Sequence, residues 1–328
     1  MITMKDIAEK AGVSLSTVSK ILNGNDRYIS EATRTKVLQI VKETNYVPNA
    51  VARGLKVQRT NTIGFILPDI SNPFFPEIAR GIEAAAEVHG FALVLCDTDN
   101  DPKREQASFN LLKSKKVDGL ILTRVLQHSA LNELVSRRLP IVVVDRRVNT
   151  TGRDIGRIIV DTRSAMRDIT KLLLARGSSR IAFIGAQDDF EDARYNGYCD
   201  ALAGYGLKAD PMLSYRGTYT VETGHTGVRA IFSHTFADGL VCGNDLIAVG
   251  AINELKALGL RVPEDVRVTG FDDIYLARYL SPPLTTVQQP AYEMGRTAAD
   301  MLIRNILFGD ALCTNNLGYK IIERESAL

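Results

Sequence analysis

From residue 61 onward, short runs of consecutive apolar residues alternate with amphipathic stretches long enough to be helices. No other feature narrows the possible fold as far. The runs at 62–67, 92–96, 119–123, 141–144, 181–185, 239–242 and 266–271 read as strands buried on both faces. Between them, 74–89, 103–115, 164–176, 191–204, 222–233, 245–258 and 291–307 read as helices. A strand with no polar face needs a helical layer above and below it, which is the arrangement of parallel α/β sheets. KVDGLILT at 116–123 echoes FADGLVCG at 236–243, so two similar lobes are expected. A length of 328 residues accommodates both lobes and a small additional domain.

That additional domain precedes residue 61. TMKDIAEKAGVSLSTVSKILN, residues 3–23, predicts two short helices joined by a tight turn. Thr3 and Asp6 have the spacing of a capping box, and Ala8 and Ala11 permit close packing. Gly12 supplies the left-handed residue that ends the first helix, and Ser14 can cap the second. Val18, Ile21 and Leu22 form the buried face of that second helix, leaving Leu15, Ser16, Thr17 and Lys20 outside. Ser30 can cap a third helix in which Val37, Ile40 and Val41 recur at helical spacing. The expected core is Ile7, Ala8, Val18, Leu22, Val37 and Val41. Residues 1–60 hold ten Lys/Arg and five Asp/Glu, a net of +5, whereas the rest of the chain is at −3. The chain-wide value of +2 hides this division. A basic module whose second helix begins with small polar residues can sit on phosphates and enter the DNA major groove. The pattern is that of a helix-turn-helix.

Residues 46–59, YVPNAVARGLKVQR, read as a linker with a turn or two of latent helix. So short a segment is unstable alone in water and is expected to order only on DNA. TMKDIAEKAGVSLSTVSKILNG, YVPNAVARGLK, TIGFILPDISNPFF, GNDLIAVGA, VRVTGFDD and PPLTTVQQP carry an end-to-end resemblance to the lactose repressor/galactose repressor family of bacterial transcription regulators. The resemblance implies an N-terminal all-α helix-turn-helix head with a hinge helix, joined to an α/β body of two Rossmann-like lobes with parallel sheets. That body is of the type I periplasmic-binding-protein kind. The implied boundaries are 1–47 for the head and 48–60 for the hinge. Lobe 1 would take 61–160 plus 290–312, and lobe 2 161–289 plus 313–328. Leu15, Ser16 and Lys20 match base-reading positions, and Thr3, Thr17 and Asn23 would lie near phosphates. In the hinge, Asn49, Ala52 and Lys56 would touch DNA, and Leu55 matches a leucine that wedges into the central base step and opens the minor groove.

Two open parallel sheets facing each other put their strand carboxyl ends at a shared cleft, where ligands bind. Polar residues suited to that role follow several strands. Asn72 follows the first, with Phe74 and Phe75 just after; Asp145 and Arg146 follow the fourth; Asn244 and Asp272 follow later ones. Arg194 opens a helix and Gln288 lies on the crossover. Each has a plainer reading, since Asn72 can make a turn, Asp272 can cap a helix and both phenylalanines can be core. Together they match the sugar-contacting set of the ribose-type periplasmic binding proteins, which the family's body resembles. In that pattern Phe74 and Phe75 stack on a sugar ring, while Asp145, Arg146, Arg194, Asn244, Asp272 and Gln288 hold hydroxyls. The implied effector is a small sugar, sugar acid or sugar phosphate; Arg147, at the cleft rim, reads as a solvated surface charge or else as a residue that favours an anion. The chain departs from the family pattern at Asp161-Thr162 and at RGSSR, 176–180, neither in the contact set.

No cofactor is implied. The N-terminus shows no signal peptide, because Lys5, Asp6, Glu9 and Lys10 break any apolar run, and no stretch reaches transmembrane length. Cys96, Cys199, Cys242 and Cys313 are widely separated, which suits reduced cytoplasmic thiols, and the four histidines make no metal spacing. No phosphate loop, dinucleotide fingerprint or nucleophile elbow occurs, so no catalytic residue is assigned. Two rivals share parts of the pattern: a sugar receptor without a DNA role, and an α/β enzyme acting on a sugar through Asp145 and Asp272. The expected protein is a cytoplasmic repressor of carbohydrate genes that binds a palindromic operator as a homodimer. A last strand at 319–322 followed by no heptad repeat predicts no tail-made tetramer.

Overall fold

Capping residues set the helix ends of the first unit, Met1–Thr60. The computed structural model describes residues 2–22, 24–46, 59–123, 125–126, 131, 133, 135, 138–145, 155–187 and 193–328. The expected hinge contacts Asn49, Ala52, Leu55 and Lys56 therefore lie outside the described residues, as do Asn23, Arg146 and Arg147. Helix α1 is Met4–Ala11, opened by the reciprocal box. Thr3 Oγ1 accepts from the Asp6 amide at 3.3 Å and Asp6 Oδ2 accepts from the Thr3 amide at 2.7 Å. Gly12 closes the helix at φ 69°. Ser14 Oγ accepts from the Thr17 amide at 3.1 Å to start α2, Leu15–Leu22. Ser30 caps α3, Glu31–Glu43. Ile7, Ala8, Ala11, Val18, Ile21 and Val37 form the buried core, against which Leu22 and Val41 are half-buried. Ile21 thus takes the central place expected of Leu22.

The second unit, Asn61–Leu328, contains two six-stranded sheets. In chain order its elements are β1 (Thr62–Leu67), α4 (Phe74–Val88), β2 (Ala92–Asp97), α5 (Pro102–Lys115), β3 (Gly119–Leu122), β4 (Ile141–Val144) and β5 (Ile155–Val160). There follow α6 (Thr162–Ala175), β6 (Ile181–Ala186), α7 (Ala193–Gly204), β7 (Ser214–Gly217), α8 (Val221–Phe232), β8 (Gly239–Cys242), α9 (Asp245–Ala257) and β9 (Arg267–Asp272). The last are β10 (Thr285–Gln288), α10 (Ala291–Phe308), β11 (Thr314–Leu317) and β12 (Lys320–Ile322). The first sheet runs β11-β5-β4-β3-β1-β2 and the second β12-β10-β9-β8-β6-β7; only the β10–β12 pair is antiparallel.

Each sheet is covered on both faces, as the unbroken apolar runs require. Ile63, Phe65 and Leu67 of β1 pack toward α4 and α10, while Ile66 packs with Phe109 and Leu112 of α5. In the second sheet Leu240 lies under α8 and α9, and its neighbour Val241 under α6 and α7. The repeat seen in the sequence marks equivalent strands. The Asp118 amide donates to Thr62 O at 2.8 Å and the Asp238 amide to Arg180 O at 3.0 Å, so each DGL motif docks β3 or β8 beside the first strand of its own sheet.

The chain passes between lobes three times, after β5, after β10 and between β11 and β12. Strand β11 belongs to the first sheet through β5, which moves the last crossing to between residues 317 and 320 and corrects the assignment of 313–328 wholly to lobe 2. TNNL is half-exposed and β5 is interrupted by Gly156 and Arg157, so neither shows an unbroken apolar run. Helix α10 recrosses to pack on α4 at backbone distance. A methyl on Gly295 would stand 2.0 Å from Ile78 O, and one on Gly81 2.0 Å from Tyr292 O. Gly295→Ala is expected to destabilise the body by about 2–3 kcal/mol, read from a denaturant midpoint. An unchanged midpoint would mean that the two helices separate without loss.

Candidate functional site

On the first unit, α2 turns Val18 and Ile21 into the core and leaves Leu15, Ser16 and Lys20 exposed on one face. Leu15 is 51% exposed. Thr17 is half-buried, and Ser14 Oγ lies 2.7 Å from Ser16 Oγ and 2.8 Å from Thr17 Oγ1, so a hydroxyl cluster caps the N-terminal end of α2. Thr3 is exposed at the start of α1. Small donors and acceptors at a helix start, with a lysine in the last turn of the same helix, can reach base edges and phosphates.

In the body, the strand order of each sheet reverses between its first and third strands, β1 and β3 or β6 and β8. Ligand crevices form outside the carboxyl ends of strands at such switch points. In lobe 2 the residues there interlock. The Arg194 guanidinium lies over the Phe271 ring at 4.2 Å and the Tyr219 ring at 5.0 Å, donates to Gly243 O, and stands 3.5 Å from Asp272 Oδ1. The Arg194 and Asp272 side chains are only 11% and 4% exposed. Gln289 Nε2 donates to Asp272 Oδ1 at 2.9 Å. Asn244 caps α9, its Oδ1 accepting from the Ile247 amide at 3.0 Å. Its Nδ2 is buried without a partner among the described residues, and so is Gln289 Oε1.

Of the two adjacent glutamines, the predicted Gln288 turns away. Its Nε2 donates to Asp273 Oδ2 at 2.8 Å, whereas Gln289 touches Asp272. Successive strand residues point to opposite faces, so a QQ pair in a sequence does not show which member enters the cleft. Gln289, Tyr219, Phe271 and the Gly243 carbonyl are the members that the sequence reading missed.

On lobe 1, Asn72 is buried and its Oδ1 accepts from the Phe74 amide at 3.1 Å, making the turn into α4. Phe74 and Phe75 pack edge to face at 5.4 Å and are both buried in the lobe 1 core. Asp145 is half-buried just after β4 at φ 73°, and Asp272 ends β9 at φ 107°. Left-handed aspartates thus follow a strand in each lobe, and such backbone is sparsely populated for any residue but glycine. Ile274 joins the lobe 1 core, bringing the lobes into contact beside Asp272.

Asp245, next to Asn244, is fully buried. It accepts from Thr286 Oγ1 at 2.6 Å and from the Ile274 amide at 2.8 Å. Gly270 leaves the space, because a methyl there would lie 2.2 Å from Asp245 Oδ1. Burial, reinforced by the neighbouring Asp272, pushes the Asp245 carboxyl well above the ordinary aspartate range, despite its two hydrogen bonds. Among the described residues no cluster of His, Cys, Asp or Glu is suited to a metal ion, and no helix is long and apolar enough to cross a membrane. None of the four cysteines is in a disulfide.

Residues 3–49 match the bacterial regulatory proteins of the lacI family, and residues 60–320 match the periplasmic binding proteins and sugar binding domain of the LacI family. The chain is 40% identical over 335 aligned positions to the HTH-type transcriptional regulator RegA of Clostridium saccharobutylicum, covering 99% of each protein. It is 39% identical over 312 positions to the ribose operon repressor of Escherichia coli, covering 93% of each. Among solved structures it is similar to the lac repressor dimer bound to operator and the anti-inducer ONPF, at TM-score 0.88 and 25% identity over 100% of this chain and 99% of that one. A LacI family transcriptional regulator from Enterococcus faecium with bound ribose aligns at TM-score 0.74 and 28% identity, covering 81% of this chain and 98% of that one. These relatives are regulators of transcription rather than enzymes or receptors. With a helix-turn-helix head and a two-lobed body matched end to end, the chain belongs to the LacI family of DNA-binding transcription regulators.

Proposed function

We propose that this regulator is a cytoplasmic repressor of carbohydrate genes, binding a palindromic operator as a homodimer and released or retained by a sugar held between its lobes. The observation that carries the sugar assignment is that two of the three buried groups without a partner among the described residues, Asn244 Nδ2 and Gln289 Oε1, belong to the residues around the Arg194–Asp272 ion pair. A buried donor and acceptor left unpaired are costly, and a ligand hydroxyl satisfies either kind. A polyhydroxylated ring fits that mixed set, with Asn72, Asp145, Arg146 and the rims of Phe74 and Phe75 supplying the lobe 1 side.

Closure on the sugar would shift the lobe 1 surfaces of paired subunits and so favour or disfavour ordering of the two hinges. Such coupling is reciprocal and is typically about 1–3 kcal/mol. On the head, Leu15 offers apolar contact to a thymine methyl, while Ser16 and Lys20 offer hydrogen bonds. Thr3, Thr17 and Asn23 serve phosphates, and Asn49, Ala52, Leu55 and Lys56 serve the minor groove.

A thermal-shift screen of pentoses, hexoses, sugar acids and sugar phosphates tests the assignment when repeated with DNA selected from a random pool. A sugar that raises the melting temperature and changes DNA affinity supports it. Uniform DNA affinity across every sugar that binds would overturn it. Leu55→Ala is expected to weaken DNA binding about tenfold or more without changing sugar affinity, because unstacking then lacks its wedge. Equal retardation of the two proteins in a mobility-shift titration would dispose of the wedge.

A further inference from the structure

We propose that Arg324 is a positioning residue for the effector site: it holds the turn at Asp272 and Asp273 that presents the Asp272 carboxylate to Arg194. The inference rests on the cleft being the sugar site. Asp272 and Asp273 are consecutive non-glycine residues with φ of 107° and 53°. Such backbone persists only where its surroundings over-determine it. Around Asp273 they do. Its side chain is 2% exposed, with Arg324 Nη2 donating to Oδ1 at 2.7 Å and Gln288 Nε2 donating to Oδ2 at 2.8 Å.

Arg324 is itself fixed at both ends. Its Nη1 donates to Leu284 O at 2.7 Å, its amide donates to Thr285 Oγ1 at 2.8 Å, and its carbonyl accepts from Thr285 Oγ1 at 2.7 Å. Ser326, fully buried two residues on, donates to Val268 O at 2.6 Å and accepts from the Thr285 amide at 2.8 Å. The guanidinium therefore clamps the loop after β9 to the start of β10, the two strands that deliver Asp272 and Gln289. Without it, Asp273 keeps a nearly buried carboxylate with Gln288 as its remaining clamp. The turn then relaxes toward solvent and carries Asp272 away from Arg194.

The test compares the full chain with Arg324→Gln, Arg324→Lys and Arg176→Ala. Arg176 bonds Glu323 and the Ala327 carbonyl, so its loss loosens the same 323–328 segment without touching Asp273. Amide hydrogen exchange over residues 268–276 is read without sugar, and D-ribose is titrated by calorimetry. Arg324→Gln is expected to speed exchange at 272–274, and to weaken D-ribose, about tenfold or more each. Arg324→Lys, which restores the charge but not the fork, should fall between it and wild type. Arg176→Ala should lower the melting temperature yet leave exchange at 272–274 and D-ribose affinity unchanged. Unchanged exchange at 272–274 in Arg324→Gln, or equal acceleration in Arg176→Ala, would overturn the proposal. Should Arg324→Gln fail to fold, Arg324→Lys decides by the same two readings. A wild-type protein indifferent to D-ribose would count against the sugar chosen, while the exchange measurement still decides the role of Arg324.

Discussion

Arg194→Ala is expected to weaken sugar binding by about 2–5 kcal/mol, roughly 30-fold to several thousand-fold in Kd, while DNA binding persists. Two features make the effect large. The guanidinium is held by Phe271, Tyr219, Gly243 O and Asp272, contacts made within the protein that fix the direction of its donors. Its removal also leaves the Asp272 carboxylate, 4% exposed, without its cation. Arg194→Lys should rescue little, since a lysine cannot stack between two rings or span the same acceptors. Calorimetry against the sugar found in the screen reads the loss, and a mobility shift reads the retained DNA binding. Wild-type sugar affinity in Arg194→Ala would move the site elsewhere.

The second large effect concerns stability. Asp245→Ala leaves the Ile274 amide and Thr286 hydroxyl unpaired in the interior and opens a void, an expected loss of about 3–5 kcal/mol. Asp245→Asn should be nearly neutral near pH 4, where the wild-type carboxyl is protonated, and more stable than wild type at pH 7. Its amide oxygen can accept from Ile274 and its NH2 can donate to Thr286 Oγ1, with no charge to bury. The two proteins should also respond differently to pH. In the folded state Asp245 keeps its proton well above the ordinary aspartate value of 3.8, so folded protein binds more protons than unfolded chain in that window. Wild type should therefore lose stability relative to Asp245→Asn as pH rises from about 4, by about 1.4 kcal/mol per unit until the folded-state pKa is passed. Denaturant midpoints measured in parallel from pH 4 to 8 check the slope. Parallel curves would show that the carboxyl ionises normally in place.

Much of this was legible in the residues. The head was readable because capping is local chemistry: Thr3 with Asp6, Gly12 and Ser30 each act within one helical turn. The sheets were readable wherever both faces are apolar, as in β3 and β8. Where Arg157 interrupts β5, or where TNNL lies half-exposed at a sheet edge, the same signal vanished, and at TNNL the last crossing between lobes was placed too early. Strand-end polarity picked out Asn244 and Asp272, and a polar stretch opening a helix picked out Arg194. Neither chose between Gln288 and Gln289, a question of strand parity, nor anticipated that Asp245, readable as a helix-opening acid, is sealed in the interior. Phe74 and Phe75 show the opposite limit, for their aromatic character suits ligand stacking and core packing equally, and the core holds most of both rings.

The threefold exchange of chain between the lobes has a consequence for biosynthesis. Lobe 1 lacks α10 and β11 until residue 317 has been made, and lobe 2 lacks its edge strand until residue 322. Neither half can mature on the ribosome ahead of the other, so the nascent body must wait as two unfinished sheets with apolar faces uncovered. The head has no such debt to later sequence, and its α1, α2 and α3 are free to assemble while the rest is still being translated.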